Sequence, residues 1–265
     1  MSDRVDEETV VVGEAGGRPL RADLYRPPSP NGSGIFLIHG GSFARGDRRQ
    51  LRGYAIALGQ IGYTSVACEY RLAGEARWPA QIDDVHAGLA YLYRQAQSLG
   101  VDPAKIVVSG HSAGGCLALL AAASGQFPLA AAVAFYAPVD FLGDDARAKG
   151  APQGMAFLLG DDVSEARLAS MSPLNLAGPS FPPTLLITGN RDELVHWGES
   201  LKMYQALMAG GVTAEIHIFD GVPHAFDLLP EFGRQCAGIL ALFLDTHVLN
   251  PGSPVALAPA PPDLP

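Results

Sequence analysis

Lys105-Ile106-Val107-Val108-Ser109-Gly110-His111-Ser112-Ala113-Gly114, running on through small and apolar residues to Ala123, is the stretch that decides the fold. Lys105 to Ser109 reads as a short buried strand and Ala113 to Ala123 as a helix of small residues. A serine caught between the two sits on a sharp turn that pushes its hydroxyl out of the sheet. Gly110 and Gly114 carry no side chains to block that turn. A G-x-S-x-G pentamer alone is common wherever Gly, Ala and Ser abound. Between a strand and a helix it points to Ser112 as a nucleophile.

Other segments fall into order around it. Ile35-Phe36-Leu37-Ile38-His39 is an apolar strand that runs into Gly40-Gly41-Ser42-Phe43. Thr184 to Thr188 is another, followed by Gly189-Asn190-Arg191-Asp192. Glu215 to Phe219 precedes Asp220-Gly221-Val222-Pro223-His224. Serine, then acid, then histidine is the order expected of α/β-hydrolases. On these motifs the chain resembles α/β-hydrolases of the esterase/lipase superfamily. In pattern it is most similar to hormone-sensitive-lipase-like and H-G-G-x-W-type carboxylesterases, a neighbourhood that also holds kynurenine formamidases. The resemblance runs from about the second strand to the last helix. It implies an α/β fold with a mostly parallel central sheet of about eight strands, helices on both faces and a small cap insertion.

Periodicity gives a matching outline. Thr9 to Gly13 and Leu20 to Tyr25 read as two opening strands joined by a Gly-Gly turn. Further strands are expected near 34–39, 63–68, 105–109, 130–136, 183–189 and 213–219. Several are unbroken apolar runs, as for a parallel sheet covered on both faces. Pro79 to Ser98 is the clearest helix, because Ile82, Val85, Leu89 and Leu92 form one apolar stripe. Pro79 suits its first turn and Gly100 sits just past its end. Other helices are expected near 50–60, 112–124, 197–210 and 232–247. Such alternation builds a doubly wound sheet.

The long departure lies between Tyr136 and Pro182, where Gln153 to Leu159 and Val163 to Met171 look helical. The resemblance makes 137–182 a small cap or lid. Few residues precede the His39 strand, so the resemblance leads to the expectation of a site without the dedicated N-terminal cap of many lipase-like relatives, and so of a fairly open one. Residues 1–249 read as a single domain, and the Pro- and Ala-rich 250–265 as a disordered tail.

Composition sets the limits. Of 265 residues 48% are hydrophobic, ample for one large α/β core, and the formal charge of −9 argues against nucleic acid and anionic membranes as partners. Cys68, Cys116 and Cys236 are odd in number and widely spaced, against a disulfide framework or a zinc site. Cys116 reads as a small buried hydrophobe. The start of the chain is polar and acidic, without an apolar signal region. No stretch reaches the roughly 18 consecutive apolar residues of a transmembrane helix. A cytoplasmic protein is expected, with homo-oligomerisation left open.

The chemistry can be assigned residue by residue. A free serine hydroxyl is a weak nucleophile and needs a base beside it. The competing use for a serine at position 112 is a helix N-cap; the glycine flanks and companion motifs favour the nucleophile. His224, on a loop shaped by Gly221 and Pro223, is the expected general base, since an unperturbed imidazole titrates at about 6.5 and so takes and returns a proton near neutrality. Among the other histidines, His39 opens the Gly-Gly loop, where the resemblance implies a structural role. His111 is the variable residue of the pentamer, His86 lies on the long helix, His217 in a strand, and His196 and His247 on or beside helices.

Asp192 is the expected orienting acid, at a strand end where ligands gather in open α/β sheets. Glu193 is its neighbour and rival, while Asp220 and Asp227 sit close to His224 in sequence. The oxyanion hole is expected from the backbone N–H of Ala113 with those of Gly41 and Ser42, the last two by matching to H-G-G-G. Ser42 replaces the third glycine of that pattern and Phe43 the tryptophan of H-G-G-x-W, which leaves the subfamily and the substrate open. Arg71, within Glu69-Tyr70-Arg71-Leu72, is read as a scaffold partner for Asp83 or Asp84. No P-loop, acid-partnered G-x-G-x-x-G or metal-ligand spacing occurs, so neither cofactor nor metal is implied.

The expected function is a serine carboxylesterase that hydrolyses short- to medium-chain, small-molecule esters through an acyl-enzyme. An amidase of the kynurenine-formamidase kind, or an acyltransferase, would use the same triad. A catalytically silent, ligand-binding member of the fold is the non-enzyme alternative. The joint presence of Ser112, Asp192 and His224 favours catalysis.

Overall fold

The computed structural model describes residues 4–143 and 155–251. Eight strands form one sheet in the order β1-β2-β4-β3-β5-β6-β7-β8. They are β1 (Asp6–Ala15), β2 (Arg18–Arg26), β3 (Gly34–Ile38), β4 (Thr64–Cys68), β5 (Ile106–His111), β6 (Ala131–Phe135), β7 (Thr184–Gly189) and β8 (Ala214–Phe219). The β1–β2 and β2–β4 pairs are antiparallel, and every other neighbouring pair is parallel. From β3 through β7 every residue of each strand is buried, so the sequence reads as continuous apolar and small residues rather than alternation.

The helices are α1 (Arg52–Gln60), α2 (Ala80–Gln95), α3 (Ala113–Ala123), α4 (Ala156–Leu159), α5 (Glu165–Met171), α6 (Gly198–Ala209) and α7 (Pro230–Leu244). Successive strand residues face opposite sides of a sheet, and two cores result. Phe36, Ile38, Val108 and Leu186 pack with Leu89 of α2, Leu117 of α3 and Met203 of α6. Ile35, Leu37, Val107 and Ile187 pack with Leu58 of α1 and Leu240 of α7. The sheet is thus covered on both sides, as the alternation predicts. Helix α3 is buried without a break from Ala113 to Ala122. That explains why its sequence is apolar all round.

Differences from the sequence reading are local. The long helix begins one residue after Pro79 and keeps α geometry only to Gln95; a 3₁₀ turn over Gln97–Leu99 carries the chain to Gly100, which adopts φ +67°. The scaffold acid is Asp84, not the exposed Asp83. The Arg71 guanidinium donates to both Asp84 oxygens, and the Arg71 backbone N–H donates to Oδ2 at 2.7 Å. In the 137–182 segment, α4 and α5 lie against the chain entering α2. Trp78 N–H donates to Leu158 O at 3.0 Å, and its indole donates to Ser170 Oγ at 3.0 Å. The middle of that segment, including Gln153 at the start of an expected helix, lies outside the described residues. So does the tail expected to be disordered, from residue 252 onward. Cys68, Cys116 and Cys236 are free and buried. No helix among the described residues is long and apolar enough to cross a membrane.

Helix α2 approaches the sheet through Gly88. A Cβ there would lie 2.5 Å from Phe36 Cζ and 2.9 Å from Cys68 Sγ, both in the core. Replacing an interior helix glycine by alanine ordinarily stabilises by about 1 kcal/mol. Overpacking costs about 1–3 kcal/mol and opposes that gain. Gly88→Ala is therefore expected to lower the urea midpoint at unchanged slope. A raised midpoint would contradict this packing.

Candidate active site

Ser112 joins β5 to α3 with φ 55° and ψ −121°, a region sparsely populated for residues that carry a Cβ. Its N–H donates to Phe135 O at 2.9 Å, and its carbonyl accepts from Cys116 N–H at 3.1 Å. The glycine spacing seen in the sequence is a close-approach requirement. A Cβ on Gly110 would strike Gly114 O, and one on Gly114 would strike the carbonyls of Ile38 and His39. Gly115, outside the pentamer, is also crowded, with Ala137 Cβ 2.8 Å from where its own would be.

The structure brings Ser112, His224 and Asp192 together from three strand ends. His224 Nε2 lies 3.0 Å from Ser112 Oγ, and Nδ1 lies 2.6 Å from Asp192 Oδ2. The Asp192 side chain is wholly shielded from solvent. Its second oxygen accepts from Leu194 N–H at 2.9 Å and Val195 N–H at 2.8 Å. A carboxylate held by two backbone donors cannot swing away from the imidazole. Glu193 is exposed. Asp220 binds the Asn190 amide, and Asp227 faces His111 instead.

The loop after β3 has an unusual backbone: φ is 122° at Gly41, 54° at Ser42 and 59° at Phe43. Gly41 O accepts from the N–H groups of Ala44 and Arg45 at 3.1 and 3.0 Å. The N–H groups of Gly41, Ser42 and Ala113 donate to no partner among the described residues. The loop rests on the elbow, for a Cβ on Gly40 would lie 3.1 Å from Ser112 Cβ. His39 anchors its start: the ring stacks on Tyr70 at 4.3 Å and contacts Gly40 O through Nδ1 at 2.7 Å. Burial pushes the His39 pKa down, and the Gly40 carbonyl only partly offsets this. Arg48 ties the far end of the loop to Asp23 and Glu69, each at 2.9 Å.

These groups converge on a cavity of about 140 Å³ walled by Gly41, Ser42, Ser112, Tyr136, Leu194 and His224. A second cavity of about 270 Å³ meets it at Gln50, Leu51 and Leu228. A larger open cleft, about 650 Å³ between Arg77 and Phe157, contains none of the three side chains. Among the described residues no three or more His, Cys, Asp or Glu side chains are grouped to hold a metal ion.

Two arrangements escape sequence reasoning. The loops after β7 and β8 are stitched together. Asn190 Nδ2 donates to Asp220 Oδ1 at 2.7 Å, Asn190 Oδ1 accepts from Gly221 N–H at 2.8 Å, and Arg191 N–H donates to Val222 O at 3.1 Å. Behind His224, Tyr136, His111 and Asp227 form a buried cluster. The only sequence hint of the first is an asparagine beside a glycine at a strand end.

Residues 22–207 match the BD-FAE family. The chain is similar to the probable carboxylic ester hydrolase LipM of Mycobacterium tuberculosis, 30% identical over 241 residues that cover 80% of this chain and 54% of LipM. It is also similar to an AB hydrolase superfamily protein of Schizosaccharomyces pombe, 30% identical over 82% of this chain and 72% of that one. The crystal structure of esterase LipW from Mycobacterium marinum aligns with a TM-score of 0.81 at 26% identity, covering 93% of this chain and 83% of that one. The chain spans only 54% of LipM's length.

The stitching joins the loop that carries Asp192 to the loop that carries His224. Asn190→Ala removes one donor and one acceptor at a half-buried position and is expected to lower unfolding free energy by about 1 kcal/mol. Initial rates on a chromogenic ester should fall further than the loss of folded protein explains, because the His224 loop loses its register. An unchanged rate at the expected destabilisation would show that the stitching does not position His224.

Proposed function

Since the chain belongs to the BD-FAE family and to the α/β-hydrolase superfamily, we propose that it is a serine carboxylesterase using Ser112, His224 and Asp192. The observation that carries this reading is the continuous path from Ser112 Oγ to His224 Nε2 at 3.0 Å and from His224 Nδ1 to Asp192 Oδ2 at 2.6 Å. The names of the similar LipM, a probable carboxylic ester hydrolase, and LipW, an esterase, support it.

The ester carbonyl oxygen points at the N–H groups of Gly41, Ser42 and Ala113. One such donor, aimed where negative charge develops, contributes about 3–4 kcal/mol to the transition state. Ser112 Oγ attacks the carbonyl carbon while His224 Nε2 takes its proton. The imidazolium is stabilised by Asp192, and His224 then protonates the departing alcohol. Water, activated by the same nitrogen, attacks the acyl-enzyme; collapse of that intermediate frees the acid and returns the proton to Ser112. The small cavity at Ser112 supports short- to medium-chain esters. In this reading residues 1–249 act as one domain, with 137–182 as a small cap. A cytoplasmic setting is supported by the three free, buried cysteines.

Three measurements test the proposal. A fluorophosphonate should label Ser112 stoichiometrically, since only an activated serine attacks phosphorus quickly; an adduct mapped elsewhere would overturn the assignment. Acetyl to hexanoyl esters should show higher kcat/KM than lauroyl or longer ones.

Asp192→Asn should reduce kcat by about 10⁴-fold with the fold intact. The amide oxygen would still accept from Leu194 and Val195, leaving the NH₂ to face His224 Nδ1. That places the imidazole proton on Nε2, where it cannot accept from Ser112. Glu193→Gln should cost far less, and the reverse ranking at equal thermal stability would mean a misassigned acid.

A further inference from the structure

Behind the Ser112–His224 pair lies a second histidine–carboxylate contact that the mechanism leaves unused. His111 immediately precedes Ser112 and is 3% exposed. Its Nε2 stands 2.9 Å from Asp227 Oδ2. The approach is close but off the line of a hydrogen bond, since neither ring nitrogen of His111 meets bonding geometry with a described partner. The contact therefore acts through proximity of charge and dipole. Asp227 Oδ1 accepts a short hydrogen bond from the Tyr136 hydroxyl. Tyr136 in turn sets its ring edge-on to His224, with centroids 4.5 Å apart and planes at 60°.

The polarity of the cluster is fixed. Burial opposes the charge of Asp227, but His111 and the Tyr136 hydroxyl outweigh it and hold the carboxyl below its ordinary range. Burial first, and then the Asp227 charge, pushes the Tyr136 phenol far up. Both shifts favour Asp227 as the acceptor and Tyr136 as the donor of their hydrogen bond, which points to a geometric role rather than a proton relay.

That role follows from what Asp192 does not constrain. The hydrogen bond to Asp192 holds Nδ1 but leaves the tilt of the His224 ring plane to its other neighbours. Two residues of its loop have positive φ, 73° at Gly221 and 59° at Ala225, and the contacts with the Asn190 loop hold its Gly221–Val222 end rather than His224 itself. A second surface is available to keep Nε2 aimed at Ser112. The Tyr136 ring provides it, with its backbone held by N–H donation to Ile187 O at 2.7 Å and its tip by Asp227. Asp227 belongs to the 3₁₀ turn Phe226–Leu228 that directly follows the His224 loop. The loop therefore clamps the wall that positions its own histidine.

We propose that Tyr136 and Asp227 are positioning residues for the hydrolysis, coupled through their mutual hydrogen bond, which hold the His224 imidazole in the plane that faces Ser112. The proposal rests on the assignment of Ser112 and His224 above. It is tested with Tyr136→Phe, Asp227→Ala and the double variant. For each, kcat is expressed per site titrated by fluorophosphonate, alongside KM for a short activated ester and the thermal midpoint. A merely structural role would reduce the number of titratable sites and leave kcat per site unchanged.

A misplacement on the order of 1 Å costs about 10²-fold, so kcat per site is expected to fall by about 10- to 100-fold in either single variant, with KM near wild type. Because both substitutions break one hydrogen bond, the double variant should be no slower than the slower single. A kcat per site within about twofold of wild type in both singles overturns the proposal, and so do losses that multiply in the double variant. Tyr136→Phe removes one hydroxyl and keeps the ring. It decides the matter alone if Asp227→Ala does not fold. Failure of the underlying assignment is separately visible, as a wild-type protein that titrates no Ser112.

Discussion

Gly110 and Gly114 bring β5, β3 and the start of α3 closer together than any Cβ permits. The rest of the structure depends on that approach. It lets the chain reverse from strand to helix in one residue, with Ser112 raised at the turn and its backbone held between Phe135 O and Cys116 N–H. The same contact lays the Gly40–Phe43 loop over the elbow. Gly41 and Ser42, which belong to a different strand end, then wall the same cavity as Ser112.

Backbone strain is concentrated in the same place. Among the described residues, the non-glycine positions with positive φ are Ser42, Phe43, Ser112, Tyr136 and Ala225. Four of them line the cavity at Ser112, and Phe43 directly follows Ser42. Such conformations cost of order 1–3 kcal/mol each and persist only where the surroundings over-determine them. Here the surroundings are backbone bonds and packing. Tyr136 N–H is fixed on Ile187 O at 2.7 Å, Phe43 O accepts from Ala73 N–H at 2.8 Å, and Ala225 O accepts from Leu228 N–H at 3.2 Å. Phe43 is also buried in the core. The two cores hold a site whose parts would individually relax.

Charge is handled in the same spirit. An unpaired buried carboxylate is costly, and the site contains two that are both partnered. Asp192 is met by two backbone N–H groups and His224, Asp227 by Tyr136 and His111. One carboxylate touches the imidazole directly. The other reaches it only through the tyrosine ring. The overall charge of −9 bears on neither, since it is carried mainly at the surface.

The sequence alone determined the elements and the identities at the strand ends. Continuous apolar runs reported two-sided burial, the Gly–x–Ser–x–Gly spacing reported a turn with no room for side chains, and Gly100 reported a helix stop that is realised at φ +67°. Asp192 and His224 were legible because each follows a strand within a few residues, so a local pattern locates them. The choice of Asp84 over Asp83 as the partner of Arg71 was not, since both lie on one helix and only packing selects the buried one. Nor was the Asn190 stitch, or the meeting of His111, Tyr136 and Asp227. The sequence reading left His111 as the pentamer's variable residue and Asp227 as a carboxylate near the histidine. Their contact spans more than a hundred residues and depends on rotamers and on a strained tyrosine backbone. Periodicity and spacing record which face of an element is covered; which side chains meet across loops is decided only when the sheet brings its strand ends together.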